Sequence, residues 1–396
     1  MKRYKKTVLS YLIIIFIGCT AHEEHNVPEE FKKLTNLTVF RVTSLSNQIF
    51  SFQKDVVYGD SKDRIFGNQG SVIVDSSGRV FIADLQNKVI NVFESGGKFI
   101  TQLGREGRGP NEFTYIKSLQ IRHNRLYAFD SKQNKVNIYS LDNLTALKTT
   151  ALGKNRSNYS DLKGAFPEIV ELFVVSKSAF IAKFKSDDSK KVKAWQNFDF
   201  TGLLFPLDSA GNFTSDRILD YKMATGTQIG TSFSNALIGY HLKAFFGNTS
   251  ISLSSDNYIY LSEPNEFLIK VYNSKGVYKQ AFYYPFHKIP LTQESAIEAK
   301  LPELYLKNWE LINAPEYWPV ITDMKIDDQN RLWVAVTVED MNVYEWWVLE
   351  PSGEMLTKFT WPRDKPIQQI RNGYLYTKEK DEEGADIVVR YSIVIK

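Results

Sequence analysis

At 396 residues, 43 % of them hydrophobic and 24 % charged, the chain is too apolar to be disordered and long enough for two average domains or one large closed one. The formal charge is +4, and Lys2, Arg3, Lys5 and Lys6 lie in a basic start that looks like a removable segment. The body is therefore near neutral, which excludes nucleic-acid binding through a basic face. Aromatics make up 14 %, with 26 Phe and 21 Tyr, a composition that favours strands.

Residues 1–18 read as a targeting segment, with a basic Lys2–Lys6 followed by an apolar Val8–Ile17. That apolar run is too short to cross a bilayer as a mature helix, which takes about 20 residues. The single cysteine, Cys19, rules out an internal disulfide. Phe16-Ile17-Gly18-Cys19 resembles the lipobox of bacterial lipoproteins, with phenylalanine where leucine is usual. The resemblance implies lipidation of Cys19, a membrane anchor and an outer-membrane address, facing the periplasm or the cell surface. Two or three acyl chains, at about 0.8 kcal/mol per buried CH₂, would hold a soluble domain firmly. Residues 19–37 read as a polar tether. Its His22-Glu23-Glu24-His25 has metal-binding residue types, but ordering a mobile tether around an ion costs entropy, so no metal is expected there. The acidic pair also resembles the surface-export signal of Bacteroidetes lipoproteins.

From residue 38 on, the expectation is one β-propeller domain. Its clearest sign is an internal echo: Ser71–Gly104 and Ser118–Ser140 align with Asp84 over Asp130 and Asn87-Lys88-Val89 over Asn134-Lys135-Val136. The offset of 46 to 47 residues is that of a four-stranded blade. In the first unit, Val72–Asp75, Arg79–Ala83, Val89–Glu94 and Phe99–Leu103 are the strands, with Gly78, Gly96 and Gly97 at turns. Asp84, Asn87, Asp130 and Asn134 suit the tying of turns through side-chain to backbone bonds better than catalysis. Gly104–Phe113, together with the preceding VIVDSSGRVFIAD, resembles the NHL-repeat family, whose glycine-rich connections lead to the next inner strand. Phe113 can wedge between blades. Arg105 and Arg108 on this loop are candidates to face an anion, or else loop charges and inter-blade ion pairs.

Later units diverge but keep the strand–turn rhythm, around residues 187, 267, 341 and 382. The last unit supplies only three strands, so an N-terminal strand, Thr38–Val42, is expected to complete it and remove an exposed edge. That gives an all-β, six-bladed β-propeller. Gly211–Gly247 is a long loop or a seventh blade. Thr292–Leu311 has helical character, with Thr292 as a cap and Pro302 as a break, and insertions of this length tend to cover a functional face. Lipobox, acidic tether and NHL-like units together resemble the six-bladed β-propeller lipoproteins of Bacteroidetes, related to TolB-like and NHL propellers. The resemblance implies an architecture and no catalytic motif.

The chemistry-bearing residues are sparse. No zinc-protease, nucleophile-elbow or phosphate-loop motif is present. Beyond the tether, the histidines are His123, in a hairpin turn, and His241 and His287, beside aromatics. Inner-strand acids, Asp75, Glu171, Asp323 and Asp327, are scattered and do not repeat as a ligand set, so no cofactor is expected. Six of seven tryptophans follow residue 300. Adjacent Trp346 and Trp347 must face opposite sides of a strand and, with Trp333, suit packing between blades. Trp309 and Trp318 are the better candidates for an exposed ligand platform. The function expected is a lipid-anchored, monomeric envelope module that binds a protein or a glycan without catalysis. The alternative is a metal-dependent hydrolase or lyase in the central channel.

Overall fold

The computed structural model describes residues 27–41, 49–59, 66–155, 169–187, 196–227, 243–311 and 313–395. The leader, Cys19, His22, His25 and His241 lie outside the described residues. Six antiparallel blades form a β-propeller. Blade one consists of Gln69–Val74, Val80–Asp84, Val89–Phe93 and Phe99–Leu103, and blade two of Ile116–Arg122, Arg125–Asp130, Lys135–Ser140 and Ala146–Ala151. Blade three is longer, with Ile169–Ser176, Ala179–Asp187, Asn197–Asp208 and Leu219–Thr227. Blade four is Ser250–Leu253, Ile259–Ser262, Leu268–Tyr272 and Tyr278–Tyr283, and blade five Ile321–Ile326, Leu332–Thr337, Val343–Leu349 and Met355–Pro362. Blade six takes Ile367–Arg371, Tyr374–Lys380 and Asp386–Ile395 from the C-terminal end.

The ring closes through the N-terminal region, as a chain short of one strand requires, but not with the strand expected. Phe50–Tyr58 pairs antiparallel with Asp386–Ile395 and supplies the outer strand of blade six. The earlier run, Leu37–Val39, instead adds in parallel to the outer edge of blade four, against Ala281–Tyr283. Phe50–Tyr58 carries nine residues for pairing where the earlier strand carries three. The longer ladder closes the ring, and the shorter one covers an edge. Residues from Val27 on, read as tether up to residue 37, lie against blade four. A short helix, Glu29–Lys32, buries Phe31 beside Tyr283, with Leu34 and Leu37 alongside.

Each seam between neighbouring blades is an apolar layer, because alternate side chains of a strand face opposite neighbours. Trp346 faces the seam between blades five and six, and Trp347 the seam between four and five. Gly104 shows why the connection out of blade one needs glycine: its φ is +75°, and a Cβ would stand 2.3 Å from the Phe113 ring. Phe113 itself is fully buried in the seam between blades one and two.

Gly211–Gly247 is not a seventh blade. Its strand Leu219–Thr227 is the outer strand of blade three, paired with Asn197–Leu204. Its exposure does not alternate cleanly, which hides the period of two. The insertion after blade four is helical as expected. Thr292 caps Gln293–Glu298 through a reciprocal bond with Ser295, and Pro302 begins Glu303–Lys307.

Candidate functional site: the open face around the channel

The inner strands enclose a channel of about 770 Å³. Several of its polar side chains tie blade to blade. Ser71 Oγ accepts from Leu119 N–H (3.1 Å), Gln120 Oε1 from Val174 N–H (2.9 Å), and Gln369 Oε1 from Val74 N–H (2.6 Å). Gln120 Nε2 also donates to Leu172 O, and Ser252 Oγ to Met324 O (2.9 Å). An inner strand is a sheet edge with unpaired backbone groups, and these bonds satisfy part of it.

Turns seal one end. Arg122 of blade two reaches across to blade four, donating to Asn257 Oδ1 (3.0 Å), Ser255 O (3.2 Å) and Ser254 O. Burial pulls the Arg122 pKa down, and the nearby Asp256 opposes that shift. Ser255 N–H donates to Asn330 Oδ1 (2.8 Å), and Asn372 N–H to Asp328 Oδ2 (2.9 Å). Connections between blades cross at the opposite end.

At that open end, among the described residues, no inner-strand side chain of blade three bonds the inner strand of blade four. A charged cluster occupies the seam instead. Lys183 Nζ donates to Glu171 Oε2 (3.1 Å) and lies 5.9 Å from the Tyr221 ring centroid. Burial alone would depress the Lys183 pKa; Glu171 and Tyr221 reverse this and hold it above its ordinary value, so the amine is an ammonium. Burial pushes the Tyr221 hydroxyl up to about 12. Gly202 makes room for Tyr221, since a Cβ there would stand 2.2 Å from the ring. Asp323 and Lys325 form a second pair (2.8 Å) on the blade-five wall. Ser118 Oγ and Arg371 Nε, on channel-lining residues, are buried without a protein partner among the described residues. A polar ligand can satisfy such groups.

Beside the mouth, sharing Thr249 with it, lies a cleft of about 660 Å³. The third strand of blade three runs twelve residues, against five in blade one, and its Asn197–Phe200 end pairs with Ala224–Thr227. This overhang, the Glu263–Asn265 turn of blade four and Asn313–Pro315 after the insertion form the walls. Asn197 Nδ2 donates to Asn313 O (2.7 Å) across it.

The family described as a 6-bladed beta-propeller (DUF5128) matches residues 60–165, which take in blades one and two. No curated protein matches the chain. Among solved structures, a member of the DUF4221 family from Bacteroides vulgatus superposes with a TM-score of 0.54 at 11 % identity, over 89 % of this chain and 99 % of that one. A candidate exported protein from Bacteroides fragilis gives 0.47 at 13 % identity, over 90 % and 99 %. Regucalcin from Agrobacterium tumefaciens, a calcium-binding protein, gives 0.40 at 9 % identity, over 90 % and 96 %. Likeness at these identities is one of fold.

The residues singled out from sequence are dispersed. Arg105 pairs with Glu112 within its own loop (2.8 Å), and Arg108 is exposed on the same loop, away from the channel lining. Trp318 does not form an exposed platform: it is 5 % accessible, and its indole N–H donates to Ser295 Oγ (3.0 Å). Its neighbour Pro319 suggested a loop surface, but Phe245, Leu301 and Tyr305 enclose it. Trp309 packs half-buried in the same cluster. Asp75 and Asp327 fix turns through matching bonds to the backbone N–H and guanidinium of Arg79 and Arg331. Asp84 accepts from Gln86, Asn87 and the Asn87 amide, and Asp130 from Thr114 and Gln133. His123 and His287 are exposed. Among the described residues no three His, Cys, Asp or Glu side chains group as a metal site, and no helix is long and apolar enough to cross a membrane. Glu171 and Asp323 do reach the channel. Lys183 and Tyr221 carried no sequence signal, because they meet only across the folded strands of blade three, and the cleft forms only when blade three folds beside blade four.

Proposed function

We propose that this chain is a lipid-anchored propeller of the cell envelope that binds a protein or glycan on its open face without catalysis. The observation that carries this reading is how the polar side chains are used. Several of those on the inner strands tie blades together, and the remaining groups spread over a mouth and a cleft as they do in recognition sites. Phe16-Ile17-Gly18-Cys19 supports lipidation at Cys19 and an outer-membrane address. The test uses the purified mature chain against arrays of neutral glycans and of envelope proteins, alongside elemental analysis. Saturable binding lost in Glu171→Ala or Phe198→Ala is the expected result. Stoichiometric Ca²⁺ or Zn²⁺ together with turnover of a ligand would overturn it in favour of a channel enzyme.

A further inference from the structure

We infer that the cleft between blades three and four binds a neutral oligosaccharide. This rests on the binding reading above and names the ligand class. Three features lead there. Half-buried Phe198 and Phe246 line one cavity, and each is braced by a second ring, Phe200 at 4.8 Å and Phe245 at 5.0 Å. Aromatic faces of this kind stack on the C–H side of a sugar ring.

Among the described residues, the polar groups between them are hydroxyl-binding groups whose charges are paired. Asp199 is paired with Lys222 (2.9 Å) and accepts from Thr225 Oγ1 (2.7 Å), and Glu263 is paired with Lys270 (3.0 Å). Their remaining lone pairs can accept from hydroxyls, while the lysines remove the attraction for a cation. Asn265 brings an exposed amide that can both donate and accept.

An extended peptide is disfavoured by the backbone. The free edge of blade three beside the cleft is already used: Met223 O accepts from Thr249 N–H (2.8 Å), and Ala224 bridges Asn248. Strand addition, the usual way to hold a peptide at a sheet edge, is blocked at those two positions. Thr249 joins the cleft to the channel mouth, so a chain of several sugars would run along the cleft with one end at Lys183 and Glu171.

Isothermal titration of the full chain with maltohexaose, cellohexaose, mannohexaose and xylohexaose tests this. At least one should bind saturably, and Phe198→Ala and Asn265→Ala should each weaken it tenfold or more. Asn265 is exposed, so its variant remains informative if Phe198→Ala fails to fold. No heat with any of the four, or affinity unchanged in Asn265→Ala, overturns the inference. If an envelope protein then binds the open face, the broader binding function survives; stoichiometric metal with turnover would remove both.

Discussion

The seam between blades five and six and the seam between blades three and four are built from the same strands for opposite purposes. The first is filled by Trp333, Trp346 and Trp361 against Phe50, Val389 and Tyr391, with Trp361 and Tyr391 rings 5.1 Å apart. The second keeps an apolar layer of Phe173, Ile181, Leu204 and Ile259 but places Lys183, Glu171 and Tyr221 within it. It then opens into the cleft. A buried ion pair returns little net stability compared with apolar packing of similar volume. Stability is thus concentrated where the ring closes, and the seam that gives it up is the one that borders the proposed binding cleft.

The sharpest way to break that contrast is at the closing strand. A chain lacking Phe50–Tyr58 leaves Asp386–Ile395 as a bare edge and removes Asp55 from Arg390, which it holds at 2.6 Å. Arg390 also donates to Ser95 of blade one at 2.9 and 2.7 Å, so the closing blade loses its lock on the first. The expected outcome is loss of cooperative unfolding and self-association, read by circular dichroism and size-exclusion chromatography. Deletion of Leu37–Val39 should leave a folded monomer. Next in size is Trp333→Ala. The ring is fully buried and its N–H donates to Asp327 (3.0 Å), so a loss of about 3–5 kcal/mol is expected in denaturant unfolding.

The contrast between the seams also explains what could be read from sequence. Blade one and blade two were legible because their turns are local: Asp84 and Asp130 bond residues two or three positions away, and such spacing survives as a repeat. Trp346 and Trp347 were legible because strand alternation fixes their faces whatever the neighbours. Which N-terminal strand closes the ring was not. Thr38–Val42 and Phe50–Tyr58 both mix apolar with polar residues, and pairing across some 340 residues leaves no local mark. Trp318 was misplaced because its burial depends on Phe245 and Tyr305, which reach it from other segments. The cleft draws on five stretches around residues 198, 223, 247, 264 and 314, none of them a motif alone.

At the seam between blades three and four, Glu171→Gln should destabilise despite conserving shape. It strands the Lys183 ammonium, a penalty of about 3–5 kcal/mol for a fully buried pair. Glu171 is 38 % exposed, so solvent screens part of this and about 1–3 kcal/mol is expected. Lys183→Met in the same background should recover stability, because it removes the stranded charge. A double-mutant cycle in urea measures the coupling, and additive effects would show that the pair does not interact. The sign with pH follows from the raised Lys183 pKa. Its contribution is complete below the unfolded value and is lost only as pH rises through the folded one, so near neutrality the pair contributes in full and adds no pH dependence to stability.

The smallest effect belongs to the loop between blades one and two, where Arg105→Ala removes an exposed partner of Glu112. The Glu112 carboxyl is held below its ordinary range first by the Gly109 N–H (2.7 Å) and then by Arg105, so most of what orders this loop survives the substitution. A carboxylate with a depressed pKa stabilises above its unfolded value and stops doing so as pH falls through the folded one. The midpoint difference between Arg105→Ala and the parent should therefore be small at pH 7 and vanish in acid, while Glu112→Gln, which weakens both bonds, costs more at pH 7. Thermal melts at pH 7 and pH 3 separate the two. An Arg105→Ala defect that persisted at pH 3 would mean the guanidinium holds something other than this carboxylate, and would return Arg105 to the set of ligand-facing residues.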